Sequence, residues 1–94
     1  MMDFILTLVM EKSIASADYD VFLACLREAR LRAGLTQAGL AGRLDQTQSF
    51  VSKCERGERR LDIVEVRAFC VALGVPFASF ASEFDRALDG ACRT

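Results

Sequence analysis

Residues 47–53 read TQSFVSK. Thr47, Gln48, Ser49, Ser52 and Lys53 place hydroxyls, an amide and an ammonium together on what reads as one helix, and ERGERR follows at 55–60. These groups donate and accept hydrogen bonds and carry positive charge. No nucleophile stands beside a base among them, and no two carboxylates are set for proton transfer. The cluster therefore suits recognition of a polar, anionic surface rather than bond breaking. The chain has no histidine, no phosphate-binding glycine loop and no paired carboxylates in a recognisable setting, so an enzyme is not expected.

The net charge of −1 hides an uneven distribution. Between Leu26 and Arg60 stand eight cations (Arg27, Arg30, Arg32, Arg43, Lys53, Arg56, Arg59, Arg60) and four anions (Glu28, Asp45, Glu55, Glu58). That segment carries +4 and the remainder −5, which predicts one basic face on an acidic body. The local field of such a face, not the total charge, is what a phosphate backbone meets.

A chain of 94 residues makes one domain. With 52% apolar and 27% charged residues it has the composition of an ordered globule. One proline and six glycines favour helices over a sandwich of turns and strands. Cys25, Cys54, Cys70 and Cys92 form no closely spaced pair, which argues against a zinc site; we expect small buried hydrophobes in a reducing cytoplasm and no metal or cofactor. The opening MMDFILTLVM is apolar for only ten residues, half of what a membrane span needs, and has neither the basic start nor the cleavage site of a signal peptide. Two readings of residues 1–17 stand: a strand or helix that packs on the body or pairs with a second subunit, or a stretch upstream of a true start at Met10.

The elements that must position the polar cluster follow from periodicity. Tyr19, Phe22, Leu23, Leu26 and Ala33 share one helical face, so a first helix is expected over about 18–33, capped by Ser16 or Asp18 and stopped by Gly34. Thr36 caps a second helix with Ala38, Leu40, Ala41 and Leu44 inward. A third runs from about Thr47 to Arg56 with Phe50, Val51 and Cys54 inward, and Gly57 ends it. Asp62 caps a fourth, which buries Ile63, Val66, Phe69, Cys70 and Leu73 and ends at Gly74. Pro76 opens a fifth, with a stripe of Phe77, Phe80, Ala81, Phe84 and Leu88. The result is one all-α domain over 18–90 with a tail at 91–94. The second and third helices are joined so tightly that one can cross a duplex while the next enters its major groove.

LREARLRAGLTQAGLAGRL, then QSFVSKCERGERRLD, then ALGVP resemble in order and spacing the phage-repressor/Cro-type, or XRE, family of helix-turn-helix proteins, and the likeness spans residues 26–76. The resemblance implies a compact five-helix, lambda-repressor-like domain. It implies further that Gln37, beside the Thr36 cap, touches the phosphate backbone. The third helix would then be the recognition helix, reading base edges with Thr47, Gln48, Ser49, Ser52 and Lys53. Glutamine can pair with adenine and lysine with guanine, while serine and threonine serve either base or a phosphate. Arg56, Arg59 and Arg60 would flank the groove on phosphates. The family's internal bridge between its first helix and the end of its third falls on Arg30 and Glu55. The chain departs from the pattern at Asp45, where glycine is usual, at Gly39, where glutamate is usual, and at Cys54, where a larger side chain is common.

The function these resemblances imply is a sequence-specific regulator binding double-stranded DNA. It would be a small repressor on a palindromic operator, acting as a cytoplasmic homodimer in a bacterium or phage-infected cell and nucleoid-associated when bound. Phe84 and Leu88 are candidates for its dimer interface. An antitoxin or restriction–modification control protein, with a cognate toxin or other linked-cassette partner, is a narrower alternative. A protein-interaction module on the same fold is another.

Overall fold

The computed structural model describes the backbone of residues 2–93 and the side chains of residues 16–90. Five helices follow in order: α1 (Met2–Arg32), α2 (Gln37–Leu44), α3 (Gln48–Glu55), α4 (Ile63–Leu73) and α5 (Phe77–Arg93). The described backbone holds no strand.

The caps explain most of the boundaries. Thr36 accepts the Gly39 N–H at 2.9 Å and Thr47 accepts the Phe50 N–H at 3.1 Å, so each hydroxyl satisfies a first-turn donor. Asp62 and Glu65 form a reciprocal capping box at the head of α4. The first helix does not begin at Ser16 or Asp18 as expected; α1 starts at Met2. The physical reason is plain in the sequence, where neither proline nor glycine occurs before Gly34 to interrupt it. The strand alternative for the opening residues is therefore replaced by helix, while the pairing role expected of residues 1–17, like Cys92, falls on side chains largely outside the described ones.

The turn between α2 and α3 closes on Asp45, the only non-glycine residue with positive φ among those described (φ 56°). Its N–H bonds the Gly42 carbonyl at 3.3 Å, and the Gln46 N–H bonds Ala41 at 2.9 Å. This is the pair of hydrogen bonds that usually selects glycine at the end of a helix. Aspartate occupies it here because its short polar side chain tolerates the left-handed region better than most. Gly57 makes the same closure after α3 at φ 79°, and a Cβ there would stand 3.1 Å from Leu23 Cδ1. Gly39, a weak helix former, lies where a Cβ would press on the Thr36 hydroxyl at 3.3 Å.

Leu26, Leu40, Val51, Cys54, Phe69 and Cys70 are fully buried, so α1 to α4 converge on one centre. Phe22 of α1 meets Phe80 and Phe84 of α5 edge-on, at 5.9 Å for each ring pair, a favoured aromatic geometry. Four residues expected inward are exposed: Ala33, Ala38, Ile63 and Ala81. Ala33 lies past the end of α1. Ala38 falls on the side of α2 opposite Leu40. Ile63, 69% exposed, and Ala81 flank their stripes at the rim of a groove between α1, α4 and α5. Among the described residues no single helix is long and apolar enough to cross a membrane.

Candidate nucleic-acid interface

Arg30, near the end of α1, lies 8% exposed against Glu55, the last residue of α3. Its Nε donates to one Glu55 oxygen at 2.6 Å and its Nη2 to the other at 3.1 Å. Its Nη1 donates to the Leu35 carbonyl at 2.9 Å, closing the turn before α2. This planar fork on a buried carboxylate is the geometry at which arginine is strongest. It fixes the end of α3 against α1. Among the described residues every buried side-chain polar atom has a partner.

The network continues outward. Gln37 Nε2 donates to Glu55 Oε1 at 3.0 Å. Only the amide nitrogen can donate to a carboxylate, which leaves the Gln37 oxygen facing away. That oxygen accepts from Gln48 Nε2 at 2.9 Å. A continuous chain of bonds therefore runs from Arg30 in the interior, through Glu55 and Gln37, to Gln48 at the exposed start of α3. The resemblance implies a phosphate contact for Gln37; within the chain its amide bonds Glu55 and Gln48.

The exposed edge of α3 carries Gln48, Ser49 and Lys53, with Ser52 half-buried beside them. Thr36 and Thr47 spend a lone pair on capping, and each hydroxyl keeps its proton to donate. Beneath the edge, Val51 and Cys54 are fully buried and Phe50 packs on Phe69 with centroids 6.4 Å apart. Polar and apolar residues thus divide α3 lengthwise, as the sequence predicted.

The arginines after α3 are all exposed, yet each has an internal contact that the sequence did not reveal. Arg56 pairs with Glu58 at 2.7 and 3.2 Å and also donates to the Ser52 hydroxyl. Arg59 pairs with Glu65 at 2.7 Å and sits 5.1 Å over the Phe50 ring. Arg60 lies 4.2 Å over the Tyr19 ring, whose hydroxyl accepts the Leu61 N–H at 3.0 Å. The hydrogen bond from Arg56 holds the Glu58 carboxyl below its usual range, and that from Arg59 does the same for Glu65. Glu58 and Glu65 are the residues sequence reasoning passed over. A partner two positions away in a turn has no periodic signature, and the Arg59 partner lies on the next helix.

Burial raises the thiols of Cys25, Cys54 and Cys70, which keeps them protonated and poorly nucleophilic. Among the described residues no cluster of histidine, cysteine, aspartate or glutamate is placed to hold a metal ion. Phe84 and Leu88 are half-buried, Phe84 through its contact with Phe22.

Comparison with known proteins adds to this geometry. A family model described as a helix-turn-helix domain matches residues 22–81. A solved structure described as an XRE-family like protein from Pseudomonas syringae pv. tomato str. DC3000 is 45% identical and superimposes with a TM-score of 0.74; the match covers 80% of this chain and 94% of that one. No curated protein matches.

Proposed function

This chain belongs to the XRE-type helix-turn-helix family of DNA-binding domains, and on that premise we propose that it is a transcriptional repressor reading a palindromic operator as a homodimer. The observation that carries the reading is the exposed edge of α3, held at the outer end of a bond chain that starts at the buried Arg30–Glu55 pair. Gln48 is oriented by Gln37, and Gln37 by the Arg30–Glu55 pair. A side chain fixed this way loses little rotamer freedom on meeting a base, so its hydrogen bonds discriminate at lower entropic cost.

In this reading α3 enters the major groove. Gln48, Ser49 and Lys53 face base edges, and Thr47 and Ser52 serve base or phosphate. Thr36 and the head of α2 meet one phosphate, while Arg56, Arg59 and Arg60 meet the backbone beyond the groove. One such unit contacts few base pairs. Two units on half-sites about 34–36 Å apart give the affinity that regulation needs. The dimer uses α5 near Phe84 and Leu88, the segment 1–17, or both, and acts on nucleoid DNA in the cytoplasm.

Selection of bound duplexes from a random library tests the function directly. The wild-type chain should enrich a motif with inverted half-sites. Failure to enrich any motif overturns the proposal. Sedimentation with the enriched duplex tests assembly, because a single 10.4 kDa protomer, with and without DNA, is incompatible with the dimer. A neighbouring toxin or restriction gene would narrow the role to control of a linked cassette.

A further inference from the structure

We propose that Glu58 and Glu65 are internal counter-ions that compete with the DNA backbone for Arg56 and Arg59, and so set how tightly and how salt-sensitively this chain holds a duplex. The inference rests on the DNA-binding reading above and concerns residues outside the recognition edge.

The geometry sets up the competition. Arg56 holds both oxygens of Glu58, and Arg59 holds Glu65 while its guanidinium lies over Phe50. Both guanidinium groups are open to solvent, with side chains 53% and 44% exposed, so a phosphate can reach them. Exposed pairs of this kind are weak and exchange partners readily. The neighbouring cations differ. Arg60 rests on a neutral ring, and Lys53 is exposed with no salt bridge among the described residues. The flank therefore contains two cations with a resident carboxylate and two without.

Charge bookkeeping gives the consequence. A free cation that lands on a phosphate releases about one condensed counterion from the duplex. An arginine that leaves a carboxylate to do so strands that carboxylate, which then draws a cation from solution. The net release is smaller than for a free cation, and the remaining carboxylate repels the nearby phosphate. Arg56 and Arg59 thus contribute less to affinity and to its salt dependence than Lys53 and Arg60.

Glu58→Gln and Glu65→Gln remove the competing charge with little change in shape. Glutamine also serves at the third position of a capping box, so Glu65→Gln keeps the head of α4. Asp85→Asn, the same charge change at an exposed α5 position without a salt bridge among the described residues, controls for long-range electrostatics. Binding to the enriched duplex is measured by fluorescence anisotropy between about 50 and 200 mM salt.

Each glutamine variant should bind about two- to fivefold tighter at the low-salt end. Its salt slope should steepen by up to about one ion, and the gain should shrink as salt rises. Asp85→Asn should show a smaller gain. In an Arg56→Gln background, the gain from Glu58→Gln should shrink to the size of the Asp85→Asn gain, which is the relief of repulsion alone. Unchanged or weaker binding with an unchanged slope overturns the proposal, as does a gain that persists undiminished without Arg56. A wild-type chain that binds no duplex removes the DNA-binding reading as well, whereas normal wild-type binding with silent glutamine variants removes this inference alone. Thermal melts exclude a folding artefact, and Glu58→Gln, which changes a side chain that takes part in no cap, decides the matter if Glu65→Gln melts early.

Discussion

The Arg30 guanidinium holds both oxygens of Glu55 at 2.6 and 3.1 Å, with side chains only 10% and 4% exposed. This pair joins the end of α1 to the end of α3. Removing one partner of a dry ion pair strands the other charge, which costs about 3–5 kcal/mol. Glu55→Ala should therefore lower the melting temperature steeply, while Lys53→Ala, exposed on the same helix, should leave it nearly unchanged. Equal melting of the two variants in calorimetry would contradict the bracing role.

The bond from Gln48 to Gln37 makes a second prediction. Gln48→Ala should relax base preference at one operator position while leaving the rest of the motif intact. Gln37→Ala should relax preference at the same position, because it frees the Gln48 amide to rotate. Library selection on both variants checks this; a uniform loss of affinity in each would mean that the glutamines touch only backbone.

Asp45 invites a stabilising change. A non-glycine residue at φ 56° carries strain of up to roughly 1–2 kcal/mol, reduced for aspartate. Asp45→Gly should raise stability by up to ~1 kcal/mol, since the relief exceeds the added chain entropy of glycine. That corresponds to at most about 4–8 °C in melting temperature for a domain of this size. Asp45→Ala should move it the other way. A lower melting point for Asp45→Gly would show that the aspartate side chain makes a favourable local contact.

Gly57 has no such latitude. A side chain there meets both the positive φ and Leu23. Gly57→Ala should cost about 1–2 kcal/mol and tilt the end of α3, so operator affinity should fall even where the protein stays folded. Wild-type affinity in that variant would sever the link between this turn and the exposed edge of α3.

The buried thiols predict a pH dependence. Burial holds Cys54 and Cys70 above the ordinary thiol value, so the folded chain keeps protons that the unfolded chain releases. Stability is then fully present below the unfolded thiol value of about 8.5. It falls as pH rises through that value and continues to fall until the folded thiols titrate. Melting temperature should drop between about pH 8 and 10, and Cys54→Ala with Cys70→Ala should flatten that slope while lowering the whole curve. An unchanged slope would assign the alkaline loss to other groups.

Much of this molecule was legible in the chain because its determinants are local. Thr36, Thr47 and Asp62 cap helices through bonds to residues three positions on, and Gly34, Gly57 and Gly74 end them through their own φ. The lengthwise division of α3 follows from spacing alone, as does the concentration of cations between Leu26 and Arg60. Motif order carried the Arg30–Glu55 pairing, a contact across 25 residues that periodicity could not supply. The start of α1 was misplaced because Ser16 and Asp18 look like caps wherever they stand, and only the continuing backbone shows that neither acts as one.

What only the tertiary structure decided is where each charged or polar end comes to rest. The sequence offered Gln37 and three arginines as DNA contacts without internal partners; folding brings Gln37 to Glu55, Arg56 to Glu58, Arg59 to Glu65 and Arg60 to Tyr19. Long flexible side chains choose among partners brought near by the whole fold. Apart from Arg56–Glu58, two positions apart in one turn, these contacts depend on distances between separate elements, which no local pattern of residues encodes.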